Sequence, residues 1–325
     1  MMKSIAFTKY GSPEFLKLID IKIPIPGNHE VLIKINTASI NSWDWELLNG
    51  EPFANRTTFG LFKPTKIKTL GSDIAGRVVS IGKKVQLFSQ GDEVLGDLSA
   101  CLWGGFAEYV CVDENAVSPK LKSITFEQAA AIPQAGVLAL QALRRKKHVK
   151  PGQAVLINGA GGGVGTFAIQ IAKSFGAVVT GVDHTEKLDA MRAIGADHVI
   201  DYTKEDFIHN GQQYDFILDN DATRSVFGIK RALNPEGIYT IIGGPIGRIL
   251  QFVLLGPAIA MTGQKMGILL HKPDLKDVNF IQEQVANGKI TPVIDRVYPL
   301  NDVPEAFRYF GEGLVKGKIV IKCAE

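Results

Sequence analysis

The chain has 325 residues, 46% hydrophobic and 21% charged, a composition that excludes a disordered or fibrous protein and a length that favours about two domains over one small core. Its 36 basic and 33 acidic residues leave a net charge of +3 with no tail or stripe able to neutralise a run of phosphates, so no nucleic-acid partner is expected. Three cysteines (Cys101, Cys111, Cys323) without a CxxC pair argue against a disulfide framework and a zinc ribbon, and fit a reducing cytoplasm.

The start, MMKSIAFTKYG, reads as neither a signal peptide nor a membrane anchor. Up to about residue 120 short β-rich runs (SIAF, EVLIKI, AGRVVSIG, GDEVLG, FAEYVCV) alternate with turns at Pro24, Pro26, Gly82 and Gly91, predicting a β-rich, barrel-like domain. The 51–69 stretch reads as loop, able to cover a cleft or to be a surface insertion. From residue 126 strands alternate with amphipathic segments, which predicts a doubly wound parallel sheet. Its strands are expected at 154–158, 177–182, 198–201, 214–219 and 238–243, with a sixth at 265–270. The basic run RRKKH at 144–148 reads as the solvated end of a helix. The apolar run at 249–261 is too short and too broken by Gly256 and Pro257 to span a bilayer, and reads as a buried helix or a subunit contact. After it the pattern returns to that of the first domain. The expected division is 1–125 with 272–325 against 126–271.

INGAGGGVG, at 157–165, follows an apolar strand and opens a helix. Gly159, Gly162 and Gly165 recur at intervals of three; in the strict G-x-G-x-x-G register the positions are Ala160, Gly162 and Gly165. A tight turn, a close approach of backbone to a diphosphate and close helix-to-strand packing each exclude a side chain, and the helix start aims its N–H groups at negative charge. Gly159 through Gly165, with Ala160, Gly161, Gly163 and Val164 between the spaced glycines, are therefore the candidate dinucleotide turn. The acid about 20 residues on is Asp183. Its carboxylate suits two ribose hydroxyls and repels a 2′-phosphate, favouring NADH; Lys187 argues for NADPH if its ammonium reaches that phosphate. The balance tips to NADH. Asp183 as the cap of the next helix and Lys187 as a solvated side chain remain open.

These motifs resemble the medium-chain dehydrogenase/reductase superfamily, in its zinc-independent quinone oxidoreductase and zeta-crystallin-like branch. GQAVLINGAGGGVGTFAIQIAK (152–173) is similar to that branch's fingerprint, GSDIAGRVVSIGKKVQLFSQGDEV (71–94) to the first-domain signature, and IGADHVIDY and GKIVI stand at family positions. The resemblance implies a GroES-like catalytic domain from both chain ends and a Rossmann domain between, with nicotinamide in the cleft. Where zinc-dependent members carry Cys, His and Cys ligands, this chain has Asn41, Ser72 and Gln134. The cysteine-rich lobe is missing, and the six histidines show no ligand spacing. No metal is expected.

Without a Lewis acid, the implied acceptors are quinones, enones and activated alkenes. The resemblance puts Asn41 and Asp44 beside the nicotinamide, Lys187 and Tyr202 around the adenosine phosphate, and Gly243 and Gly244 at a turn facing the nicotinamide half. Asn41 satisfying a turn and Asp44 capping the helix after it are the plainer alternatives. Trp43 and Trp45 either line a flat pocket or pack in the core; Glu46 and Leu48 replace basic residues of many relatives. The expected protein is a cytoplasmic NAD(P)H-dependent reductase, with 265–270 as a candidate strand for homodimer pairing and no membrane partner. An NAD(P)H-binding sensor or structural protein, an alcohol dehydrogenase-like carbonyl reductase and a methyltransferase are the competing readings.

Overall fold

The structure, a computed structural model, describes residues 1–144, 149–261 and 263–324. Of the basic run at 144–148 only Arg144 is described, closing the Pro133–Arg144 helix; the rest lies outside the described residues. The chain divides into two compact units, one of residues 1–137, 273–288 and 294–325, the other of 138–272 and 289–293.

The first unit is built on the strand Glu30–Ser39, whose alternate residues Val31, Ile33 and Ile35 have no exposure and whose next two, Thr37 and Ser39, are buried polar side chains. It pairs antiparallel with Asp73–Ile81, with Tyr109–Asp113 and with the last strand, Lys318–Lys322. The seven-stranded sheet continues through Glu93–Asp97 to Val117–Pro119 on one side and to Ile294–Pro299 on the other. Both chain ends thus close one core, in which Ile33, Ile35, Ile74, Phe106, Phe307 and Ile321 meet. Residues 126–137, expected with the second half, go with this unit: the alanine-rich helix Phe126–Ala131 buries Ala129, Ala130 and Ala131 completely and packs on Glu30–Ser39 and Asp73–Ile81. The stretch read as loop contains a helix, Phe53–Phe59. The Arg56 guanidinium folds it back on the preceding helix, donating to the carbonyls of Gly50 (3.0 Å) and Asn49 (3.2 Å).

The second unit carries a six-stranded parallel sheet in the order His198–Asp201, Val178–Asp183, Ala154–Asn158, Tyr214–Asp219, Leu233–Ile241, Lys265–Ile268. Val155, Leu156 and Ile157 have no exposure on either face, as a strand covered by helices on both sides requires. Chain order reverses between Ala154–Asn158 and Tyr214–Asp219, and open sheets of this kind bind ligands beyond the carboxyl ends of such neighbours. The apolar run forms the helix Ile246–Ala260, with Pro257 inside it. Phe252 and Ile259 turn inward, but Ile246, Leu250, Val253 and Leu254 are 50–75% exposed. The expectation of a buried helix is corrected: only one face is covered.

Candidate functional site

In the second unit, the turn beyond Ala154–Asn158 is shaped by its glycines. Gly159 has φ +73°, the left-handed region that a side chain disfavours. A Cβ on Gly165 would lie 2.2 Å from the Gly159 carbonyl oxygen, so helix and turn meet only because that residue has none. Gly162 is the N-cap of the helix Gly163–Ser174, and a Cβ there would meet nothing nearer than 3.6 Å. Steric exclusion at Gly165 and open space at Gly162 are what a diphosphate cradle needs, with the helix's first N–H groups lacking intrahelical partners. Asn220 donates to the carbonyls of Asn158 (2.9 Å) and Gly159 (3.3 Å), while its buried Oδ1 has no hydrogen-bond partner among the described residues.

The switch point is tied from below by Asp219, which is completely buried and accepts from Asn158 Nδ2 (2.7 Å), the Tyr239 hydroxyl (2.8 Å) and the Asp221 N–H (3.1 Å). Burial pushes its carboxyl up, and the Asn158 and Tyr239 hydrogen bonds pull it back. Gly244, at φ +135°, would bring a Cβ within 2.6 Å of the Ala222 nitrogen, and Ala222 donates to the Gly243 carbonyl at 3.0 Å. The 243–244 turn therefore closes on the 220–222 turn.

Asp183 ends its strand with the carboxylate spoken for. Oδ2 accepts from the Gly161 N–H and Oδ1 from the His184 N–H, each at 2.8 Å, and Lys187 Nζ stands 3.4 Å from Oδ1. Lys187 is buried rather than solvated, and the following turn is capped by the His184 side chain, not by Asp183. Both plainer readings of this pair are thereby corrected. Tyr202 is half exposed, its ring 6.0 Å from that of His184.

The first unit holds a buried polar cluster at the end of Glu30–Ser39. Asn41 caps the helix Ser42–Asn49 by backbone geometry. Asp44, with no exposure, accepts from the Asn41 N–H through Oδ2 and from the Gly71 N–H through Oδ1, each at 2.9 Å. The Asn41 amide donates to Ser72 Oγ at 3.0 Å and accepts from Lys318 Nζ, which also donates to the Ile40 carbonyl at 3.0 Å. Asp73 accepts from the Gln134 N–H and lies 3.7 Å from the same ammonium. Loss of water pushes Asp44 up to about 7 and Asp73 upward, and it lowers Lys318; the Asp73–Lys318 attraction opposes the last two shifts. Gln134 Nε2 is buried without a hydrogen-bond partner among the described residues. An amide, a hydroxyl, a second amide and an ammonium do not fit Zn²⁺, and among the described residues no group of three His, Cys, Asp or Glu side chains is placed to hold a metal.

Trp45 stacks on Phe307 in the core, whereas Trp43 meets Trp103 edge-on at 4.9 Å, and Phe59 also meets Trp103 edge-on at 5.6 Å. Sequence reasoning missed Lys318, Asp219, Asn220 and Trp103. Of these Asp219 carried a local signal, an acid closing a predicted strand.

Residues 27–122 match the alcohol dehydrogenase GroES-like domain and residues 194–321 the zinc-binding dehydrogenase model. The chain is 34% identical to a mitochondrial NAD(P)H oxidoreductase of Mus musculus, over 99% of its own length and 89% of the relative's. It is also 34% identical to a 2-methylene-furan-3-one reductase of Solanum lycopersicum, covering 98% of this chain and 79% of that one. The quinone oxidoreductase from Coxiella burnetii superposes with a TM-score of 0.88 at 30% identity, over 99% of each chain. The chain belongs to the medium-chain dehydrogenase/reductase superfamily, in its quinone oxidoreductase-like branch. Its fold is that family's Rossmann sheet with a GroES-like partner domain.

Proposed function

We propose that the protein is a zinc-independent, NAD(P)H-dependent oxidoreductase that reduces quinones or α,β-unsaturated carbonyls. The observation that carries this reading is that one chain holds both a sterically enforced glycine cradle at the sheet's switch point and, in its first unit, a cluster of amides, a hydroxyl and an ammonium instead of metal ligands. Relatives named for NAD(P)H oxidation, quinone reduction and furanone reduction support the same chemistry.

Gly159 to Gly165, with Ala160, Gly161, Gly162, Gly163 and Val164, would hold the diphosphate, and Asp183, Lys187 and Tyr202 the adenosine end. Gly243 and Gly244 would face the nicotinamide half. A reduced nicotinamide supplies hydride to the conjugated carbon of the acceptor. Asn41 then offers an amide N–H to the oxygen on which negative charge collects, and Asp44 keeps Asn41 in place through its backbone N–H. Water returns the proton. The carboxylate at Asp183 favours NADH over NADPH. The unit built from both chain ends is read as the catalytic half and the unit between them as the dinucleotide half. The protein is read as a cytoplasmic homodimer acting on small molecules, with neither nucleic acid nor membrane as partner; no helix among the described residues is long and apolar enough to cross a membrane.

The test is oxidation of NADH and NADPH by the purified protein with 1,4-quinones and enones. Turnover on either class supports the reading. Tight cofactor binding with no turnover across the panel overturns it in favour of a sensor or structural role.

A further inference from the structure

We propose that the helix Phe53–Phe59 is a flap over Trp103, held shut by Arg56, which opens as a unit while the sheet of the first unit stays folded. All seven residues of this helix remain at least partly exposed. At and beyond its ends Phe53, Leu61 and Phe62 are 64%, 46% and 88% exposed, and the chain returns under cover only at Pro64 and Ile67. A segment that buries so little apolar surface gains little from closing, and such segments open at a smaller cost than the core they rest on.

The polar ties that keep it closed come from two side chains. The Arg56 guanidinium, besides its bonds to the Gly50 and Asn49 carbonyls, lies 5.0 Å over the Tyr10 ring. Tyr10 is itself buried, edge-on to Phe7 at 5.7 Å, and its hydroxyl donates to the Gly60 carbonyl at 2.8 Å. Among the described residues, every other hydrogen bond of residues 53–60 stays within 51–66. The seat of the guanidinium is bare backbone, since a Cβ on Gly50 would lie 2.4 Å from Arg56 Nε. A planar fork fills that seat with two donors and a stacking face, which an ammonium does not provide.

The covered group is Trp103, 2% exposed, with Phe59 and Trp43 edge-on to its ring. Its Nε1 is buried and has no hydrogen-bond partner among the described residues. A buried donor left unpaired favours whichever conformation lets water reach it. Closure thus sets the Arg56 contacts and the Phe59 packing against the lost hydration of one indole N–H, and the flap has two states, with Trp103 wet only in the open one. None of this draws on the redox chemistry proposed above, so either reading can fail alone.

Hydrogen exchange of the full chain, followed in nitrogen-edited spectra, tests this in wild type, R56A and R56K, with circular dichroism as the check on folding. The flap is read at the Gly60 amide, which donates to the Arg56 carbonyl at 2.9 Å, and the core at the Ile35 amide, which donates to the Glu108 carbonyl at 2.8 Å. Gly60 is expected to exchange faster than Ile35 in wild type. R56A is expected to speed Gly60 by about tenfold and to leave Ile35 within about twofold, with R56K between wild type and R56A. The Trp103 indole N–H, identified by its disappearance in W103F, is expected to exchange faster in R56A, whereas that of Trp45, stacked on Phe307 in the core, is not. If R56A does not fold, R56K carries the same comparison against wild type. Gly60 exchanging as slowly as Ile35 in wild type overturns the inference. So does an Arg56 variant that leaves either Gly60 or the Trp103 indole unchanged, or one that speeds Ile35 equally.

Discussion

Asp183 and Lys187, four residues apart, meet in an ion pair of 3.4 Å beneath the glycine turn, and the same carboxylate accepts the Gly161 N–H. The acid proposed to meet the adenosine ribose is therefore also engaged by the Lys187 ammonium, the cation proposed for a 2′-phosphate. Replacing Asp183 by Ser releases the ammonium and removes the repelling charge. D183S is expected to raise the NADPH-to-NADH ratio of kcat/KM by about tenfold or more, one charge contact being worth on the order of 1.4 kcal/mol. K187A in the D183S background should remove the gain. Steady-state kinetics with both cofactors check this, and an unchanged ratio in D183S would show that the pair has no part in the choice.

Two glycines of the turn should respond oppositely to alanine. At Gly165 the new methyl would sit 2.2 Å from the Gly159 carbonyl and 2.5 Å from Ala160 Cα, backbone atoms that cannot yield without moving the helix. G165A is expected to cost about 3 kcal/mol or more in stability, at the upper end of overpacking effects. At Gly162 the methyl meets nothing closer than 3.6 Å and φ is −84°, so G162A should fold with little change. It fills the cradle, however, and should weaken NADPH binding at least tenfold. Urea unfolding and cofactor titration separate the two effects; equal loss of stability in both variants would contradict the assignment.

The difference between what was legible and what was not follows from sequence distance. The glycine turn is read from nine consecutive residues, because strand, turn and helix are local neighbours with local signatures. Lys318 and Asn41 lie 277 residues apart and meet only through the pairing of the last strand with Glu30–Ser39, which no periodicity announces. The resemblance named Asn41 and Asp44, but neither it nor spacing revealed that Asp44 is filled by two backbone N–H groups. The run that forms the helix Ile246–Ala260 left two readings open, a buried helix or a subunit contact, because it is apolar on both faces; hydrophobicity states that such a face needs covering, not by what. The helix Phe53–Phe59 was missed because it is only seven residues long and is anchored by Arg56 on carbonyls of a neighbouring element.

Asp44 predicts a pH dependence of stability. Burial raises its carboxyl from 3.8 to about 7, against the hydrogen bonds from Asn41 and Gly71. A raised folded pKa means that the folded chain holds the proton more tightly. Its contribution to stability is complete below about pH 4 and is lost as pH rises through about 7. In D44N this titration is gone, so stability should fall less steeply between pH 5 and pH 7, by about 1 kcal/mol per pH unit. The amide offers one acceptor where two N–H groups need one each, so D44N should also be less stable at pH 5 by about 1–3 kcal/mol. Urea melts of both proteins at pH 5, 6 and 7 supply the two slopes, and parallel slopes would mean that Asp44 titrates where an ordinary carboxyl does.

The proposed homodimer locates its own test on the Ile246–Ala260 helix. Ile246, Leu250, Val253 and Leu254 recur at intervals of four, three and one, which places them on one face of the helix, and Leu254 is 75% exposed. Beside this face runs the outermost strand of the parallel sheet, Lys265–Ile268, whose far edge has no neighbouring strand among the described residues. An apolar stripe next to an open edge is self-complementary under a two-fold axis, since each copy offers both the backbone groups and the cover that the other requires. L250E/L254E puts two charges into that stripe while leaving Phe252 and Ile259, the inward residues, untouched. Light scattering is expected to give a dimer mass for wild type and a monomer mass for the variant, with the Kd for NADPH unchanged because the glycine turn is elsewhere in the unit. A wild-type monomer, or a variant that stays dimeric, removes this face as the contact.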